Sequence, residues 1–235
     1  MLNKLPDDYN AVVIGDSGEI GRAILDLLAR DTRCANAIGL SRRSTPFIDY
    51  NSPETLIDAA RHVQDTCGEI HLLFIATGIL AASDSSSPEK AFNQLTHEGL
   101  IEQFSINATG PALALSAFIP TLARQAPCYV AALSARVGSI GDNQLGGWIS
   151  YRASKAALNQ IIRTAAIELR RKNEDAVCVS LHPGTIESDL SRPFARNRFT
   201  HSSKDCAQNL INVLSNLTPS QSGGFFDYAG EEIVW

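Results

Sequence analysis

Tyr151 and Lys155 stand four residues apart in the run Tyr151-Arg152-Ala153-Ser154-Lys155. On a helix that spacing puts the phenol and the ammonium one above the other on a single face. A free tyrosine ionises near pH ~10, too high for easy proton exchange at neutral pH. A neighbouring positive charge favours the phenolate and lowers that value. The pair could therefore form an acid/base tuned to give and take a proton. The same spacing also describes a solvated tyrosine and lysine on an ordinary helix. The choice rests on what the rest of the chain places beside them.

A second group of residues could hold a phosphate. Residues 10–15 (NAVVIG) form a short apolar run that reads as a buried strand. Glycines follow at 15, 18 and 21, and then Ile20, Ala23, Ile24, Leu27 and Leu28 repeat with helical period. Strand, glycine turn and helix make an anion site, because backbone N–H groups and the helix dipole point at the phosphate. Gly15, Ser17, Gly18, Ile20 and Gly21 are the residues expected around a dinucleotide there. The next strand, 34–40, ends in Ser41-Arg42-Arg43. An acidic side chain at this place would hold the ribose 2′-hydroxyl of NAD. A serine and two arginines suit a 2′-phosphate, and so NADP rather than NAD.

These residues need a scaffold. The sequence predicts a short strand at 47–50 ending in Asp49-Tyr50, and a helix from 52 or 53 to near Gly68. An apolar strand at 69–76 then stops before Gly78. Residues 89–124 read as mostly helical, bent where Asn107, Gly110 and Pro111 interrupt the pattern. Strands follow at 127–134 and 176–181, flanking the helix at 147–171 that carries Tyr151. A helix at 203–217 and a strand at 223–228 close the order. Strands alternating with helices, and apolar without clean alternation, predict an α/β fold. The expectation is one doubly wound Rossmann domain over 1–235, with about seven parallel strands and helices on both faces. Ligands bind at the carboxyl ends of such strands. There the glycine turn, Ser41–Arg43, Asp49, Ala76, Gly78, Ser134, Pro183 and Gly184 converge.

Taken together, Gly15…Gly21, Asp49, Asn107, Tyr151-xxx-Lys155 and Pro183-Gly184 resemble the short-chain dehydrogenase/reductase family over nearly the whole chain. The stretches LSARVGSI at 133–140, YRASKAALN at 151–159 and GGFFDYAGEEIVW at the end are similar to its C-factor-like and carbonyl-reductase-like branch. The resemblance implies hydride exchange between NAD(P)H and a carbonyl or alcohol. Tyr151 would give or take the proton. Lys155 would lower its pKa and hold the nicotinamide ribose, and Asn107 would anchor a relay water. A serine near the end of strand five, assigned to Ser134, would orient the substrate oxygen. Pro183, Gly184, Thr185 and Ser188 would frame the nicotinamide, and 185–202 would form the substrate lid. Homodimers or homotetramers are also implied.

The sequence departs from that pattern in three places. Glu19 stands where a glycine is usual. Ile75-Ala76-Thr77-Gly78 replaces an asparagine-bearing turn. Counting back from Gly138, the usual serine place falls on Ala135. These departures support a second reading, a dinucleotide-binding sensor or signalling protein with weak turnover. Arg136 lies on the active-site side, where it could bind an anionic substrate or stand solvated. His182 could touch cofactor or substrate or be a satisfied strand-end histidine, and Trp148 could line the pocket or simply pack. Arg192, Arg196 and Arg198 fall in the lid.

Composition sets the outer bounds. Of 235 residues, 44% are hydrophobic and 19% charged, and the net charge is −5 without a basic stripe, which argues against nucleic acid. The N-terminus is too polar for a signal peptide, and no segment reads as a membrane span. The five cysteines are scattered, without metal-ligand spacing, so reduced thiols in a cytoplasmic protein and no metal are expected.

Overall fold

The computed structural model describes residues 2–83, 87–187 and 199–235. Its centre is one parallel sheet of six strands in the order β2-β1-β3-β4-β5-β6. The strands are β1 (Tyr9–Ile14), β2 (Cys34–Leu40), β3 (Leu72–Ile75), β4 (Tyr129–Leu133), β5 (Val177–His182) and β6 (Phe225–Asp227). The helices are α1 (Glu19–Leu28), α2 (Pro53–Cys67), α3 (His97–Phe104), α4 (Gly110–Phe118), α5 (Ile149–Arg170) and α6 (Ser203–Asn216).

Alternation along β1 shows why its run is apolar throughout. Val12 and Ile14 face a core shared with Leu56 and Val63 of α2, Phe118 of α4 and Ile162 of α5. Ala11 and Val13 face a second core with Ile24 and Leu28 of α1 and Leu210 and Leu214 of α6. Both faces are covered, as parallel sheets require. The chain runs from β1 outward to β2, then crosses back to β3 on β1's other side. That reversal opens a crevice beyond the carboxyl ends of β1 and β3, the usual ligand position in such sheets.

Two elements differ from expectation. The strand expected at 47–50 does not form, so the sheet has six strands. Its backbone is satisfied locally instead. Ile48 N–H donates to the Ser41 carbonyl (3.0 Å), and the Ser44 hydroxyl lies within hydrogen-bond distance of the Ser41 and Pro46 carbonyls. The helical region expected from 89 has only a short 3-10 turn at Phe92–Gln94 before α3 starts at His97. There the Thr96 hydroxyl caps the helix by accepting from Gly99 N–H (3.1 Å).

The interruption at 105–109 is a single widened helical turn joining α3 to α4. Such turns are uncommon and cluster at functional sites. The Tyr50 ring lies against Gly110 so closely that a Cβ there would stand 1.9 Å from Tyr50 Cδ2. Glycine is required at 110 by this contact. Among the described residues no helix is long and apolar enough to cross a membrane, and no cluster of metal ligands occurs.

Candidate active site

The glycine turn packs backbone on backbone. Gly15 has φ +93°, a left-handed value, and a Cβ on Gly21 would come within 2.2 Å of the Gly15 carbonyl oxygen. The start of α1 is thereby pressed onto the end of β1, beside Ala76. No side chain caps α1 at Gly18, so its first-turn N–H groups remain for an anion. Glu19 is exposed and does not line the groove. Gly15, Ser17, Gly18, Ser41, Arg42, Asp49, Tyr50, Ala76 and Gly78 all line one cavity of about 270 Å³. Ile48, Asn51, Thr77, Ile79 and Ile106 line it too, and were not singled out from sequence. Their signal was position alone, next to residues that were.

Arg42 and Arg43 are exposed, and neither pairs with a carboxylate among the described residues. Arg42 lines the groove and Arg43 does not. The asparagine missing after β3 has a substitute brace, since the Tyr50 hydroxyl and the Thr77 hydroxyl are hydrogen-bonded at 2.9 Å. This groove fits a dinucleotide: a tight glycine cradle, uncapped helix N–H groups, and a cation near the end of β2.

Tyr151 and Lys155 lie in the first turns of α5. Gly146, Gly147 and Trp148 precede the helix, all with left-handed φ, and turn the chain into it. Both side chains are buried, Tyr151 9% and Lys155 3% exposed. Gly138 lets the helix approach, since a Cβ there would sit 2.8 Å from Lys155 Cβ. Lys155 Nζ donates to the Leu133 carbonyl (2.8 Å) and stands 6.0 Å from the centre of the Tyr151 ring. Gly78 leaves space for its head group, as a Cβ would lie 3.1 Å from Nζ and 3.2 Å from Asn107 Oδ1.

Burial dominates both titrations here. It lowers Lys155 from 10.5 to about 7 and pushes the Tyr151 phenol up. The lowering of the tyrosine expected from its neighbour is absent in this state, because the ammonium turns to a carbonyl instead of the phenol.

Asn107 sits in the widened turn, fully buried. Its Oδ1 accepts from Ile79 N–H (2.8 Å), and its Nδ2 lies within hydrogen-bond distance of the Ile79 carbonyl, Gln103 Oε1 and Ser154 Oγ. Its amide thus fixes the loop after β3 to the helix layer. The Ser134 hydroxyl donates to Asn159 Oδ1 (2.6 Å). The residue that packs against Tyr151 is Ala135, together with Leu80, Val137 and Trp148. With the Ser134 hydroxyl engaged by Asn159, the phenol has no hydrogen-bond partner among the described residues.

A second cavity, of about 440 Å³, lies over Tyr151. Ile20, Ser134, Ala135, Arg136, Trp148, Arg152, His182, Pro183, Gly184 and Thr185 line it. Ile20 belongs to the first turn of α1, so both cavities border that turn. Gly184 has φ +78°, and Thr185 N–H donates to Thr200 Oγ1 (3.1 Å). Ser188, Arg192, Arg196 and Arg198, with most of the lid, lie outside the described residues. Buried polar side chains on α5, a glycine cradle and an apolar-walled cavity are thus gathered at the carboxyl edge of one sheet.

The sequence pattern of the short chain dehydrogenases matches residues 32–198. The chain is 38% identical over 145 residues to the C-signal of Myxococcus xanthus, covering 62% of this chain and 84% of that one. It is 31% identical over 191 residues to 1-hydroxy-2-glutathionyl-2-methyl-3-butene dehydrogenase of Rhodococcus sp. (strain AD45), covering 81% and 79%. Its fold is similar to NADPH-bound carbonyl reductase from chicken fatty liver, with TM-score 0.85, 22% identity and coverage of 98% and 95%. It is also similar to the carbonyl reductase Sniffer of D. melanogaster, with TM-score 0.83, 19% identity and coverage of 97% and 99%. With the family pattern spanning 32–198 and the fold shared end to end, this chain belongs to the short chain dehydrogenase family.

Proposed function

We propose that the protein is an NADP-dependent reductase of a small carbonyl compound, working in reverse as an alcohol dehydrogenase. The observation that carries this reading is the buried Tyr151/Lys155 pair, whose tyrosine lines the second cavity, with the glycine-turn groove at the same sheet edge. NADPH, when bound, supplies hydride to the carbonyl carbon. Tyr151 gives its phenolic proton to the carbonyl oxygen, and Lys155 and Asn107 support that transfer. Arg42, on the groove wall, favours the 2′-phosphate. The walls of Leu80, Val137 and Trp148 exclude water from the reacting carbonyl. We assign the same reading a cytoplasmic, homo-oligomeric protein, and light scattering tests the oligomer.

The test is NADPH oxidation against a panel of aldehydes and ketones. Tyr151→Phe should lower kcat by about 100-fold or more while leaving NADPH affinity within about threefold. Unchanged turnover would sink the mechanism. A second reading rests on Ala135, which puts a methyl group where a hydroxyl would meet the substrate oxygen. A dinucleotide-binding sensor with slow turnover would bind NADPH tightly and oxidise it with no member of the panel. The kinship to a protein named C-signal accords with that alternative.

A further inference from the structure

The second cavity is not uniformly apolar. Leu80, Ala135, Val137, Leu145, Trp148 and Ile186 line it together with Arg136, Arg152 and His182. The sole carboxylate lining it among the described residues is Asp142, which is exposed.

Arg136 is unevenly used. One terminal nitrogen donates to Asp227 Oδ2 at 2.8 Å, and the side chain is 41% exposed while that of Asp227 is 7%. Asp227 is itself fixed, since its Oδ1 accepts from Ala229 N–H (2.9 Å) and Glu231 N–H (3.0 Å). A guanidinium carries five N–H donors. Apart from the bond to Asp227, those of Arg136 have no partner among the described residues. The buried carboxylate fixes the guanidinium of a residue that lines the cavity and leaves its other donors for a ligand. That is the preorganisation a planar oxyanion needs.

Arg152 adds charge without a counterion among the described residues. Its Nε and Nη1 donate to the carbonyls of Gly147 (3.0 Å) and Val137 (3.2 Å). His182 adds none, because burial and Arg136 push it down to about 4. Its Nδ1 is buried without a hydrogen-bond partner among the described residues.

We propose that the substrate of this site carries a carboxylate, remote from its carbonyl and joined to it by an apolar body, and that Arg136 binds that carboxylate. The proposal rests on the carbonyl-reductase reading, and Arg136 acts in it as the specificity-determining residue. Tyr151, Ala135 and Arg136 line the same cavity. One molecule can therefore meet both the phenol and the guanidinium.

The test compares 4-carboxybenzaldehyde with methyl 4-formylbenzoate, its neutral counterpart, using NADPH. The full chain should favour the acid by about tenfold or more in kcat/KM, mostly through KM. In Arg136→Met/Asp227→Asn, which leaves no uncompensated buried carboxylate, the ratio should collapse toward one. An ester used as well as the acid by the unmodified chain, or an unchanged ratio in the double variant, would overturn the proposal. A binding arm separates this from failure of the enzymatic reading. Terephthalate and its dimethyl ester are titrated against the NADPH complex by fluorescence of the tryptophans, one of which lines the cavity. Terephthalate binding lost in the double variant, without turnover of either aldehyde, upholds the anion site and rejects the reductase. No terephthalate binding together with no preference for the acid rejects the anion site.

Discussion

Lys155 makes a quantitative claim about the cofactor-free protein. Its value in the folded chain is about 7, against 10.5 ordinarily, and burial is the cause. The folded value is depressed, so above about pH 7 the unfolded chain holds a proton that the folded chain has released. Stability therefore rises with pH across that window. From pH 7 to 8.5 the lysine contributes about 1.5 pH units at 1.36 kcal/mol each, a rise of about 2 kcal/mol as a ceiling. The upper limit is set by the buried thiols of Cys128, Cys178 and Cys206. Burial raises them in the folded state, so they reverse the trend once the unfolded thiols ionise. Lys155→Met removes the lysine's contribution and keeps the others. Urea denaturation of both proteins without cofactor, at pH 7.0, 7.75 and 8.5, should show the original chain gaining up to about 2 kcal/mol relative to the variant. Parallel pH dependences would refute the burial argument, because the other titrating groups are common to both.

Ala135→Ser restores a hydroxyl beside Tyr151 and should raise kcat on a reducible aldehyde by about tenfold or more, since a well-placed donor to a developing oxyanion is worth several kcal/mol. A fall in kcat would place the substrate oxygen elsewhere. Gly110→Ala drives a methyl group into the Tyr50 ring, which its hydroxyl ties to Thr77, and should cost about 1–3 kcal/mol in thermal or urea unfolding. Unchanged stability would show that the ring can move aside. Arg42→Ala should weaken NADPH about tenfold while sparing NADH, measured by tryptophan quenching. Equal loss for both cofactors would remove the 2′-phosphate argument.

Much of the fold was legible because the burial pattern is simple. β1, β3, β4 and β5 are sandwiched between helix layers, so their runs are continuously apolar and easily found. Residues 47–50 also look strand-forming, yet the Ser44 hydroxyl and the Ser41 carbonyl satisfy that backbone locally. Nothing in residue type distinguishes the two outcomes. The site showed the same division. Spacing put Tyr151 and Lys155 on one face, but only three-dimensional burial sets the sign of their titration. The offset of Ser134 by one residue was countable in sequence. That its hydroxyl would turn to Asn159 depended on a partner 25 residues away. The Tyr50–Thr77 brace and the Arg136–Asp227 pair join segments distant in sequence, and no local period announces such pairs.

The two hydrogen bonds from Asn107 to Ile79 have the form of a ladder rung, one accepted from the N–H and one donated to the carbonyl. β3 ends at Ile75, so the side chain of a helix supplies the next pairing that no strand provides. This edge of the first cavity is thus built as an extension of the sheet, anchored before any ligand arrives. Its rigidity can be read at one atom. The Ile79 amide proton should exchange with solvent on the slow scale of the sheet interior, and replacing Asn107 by alanine should bring it down to the fast scale of a surface loop.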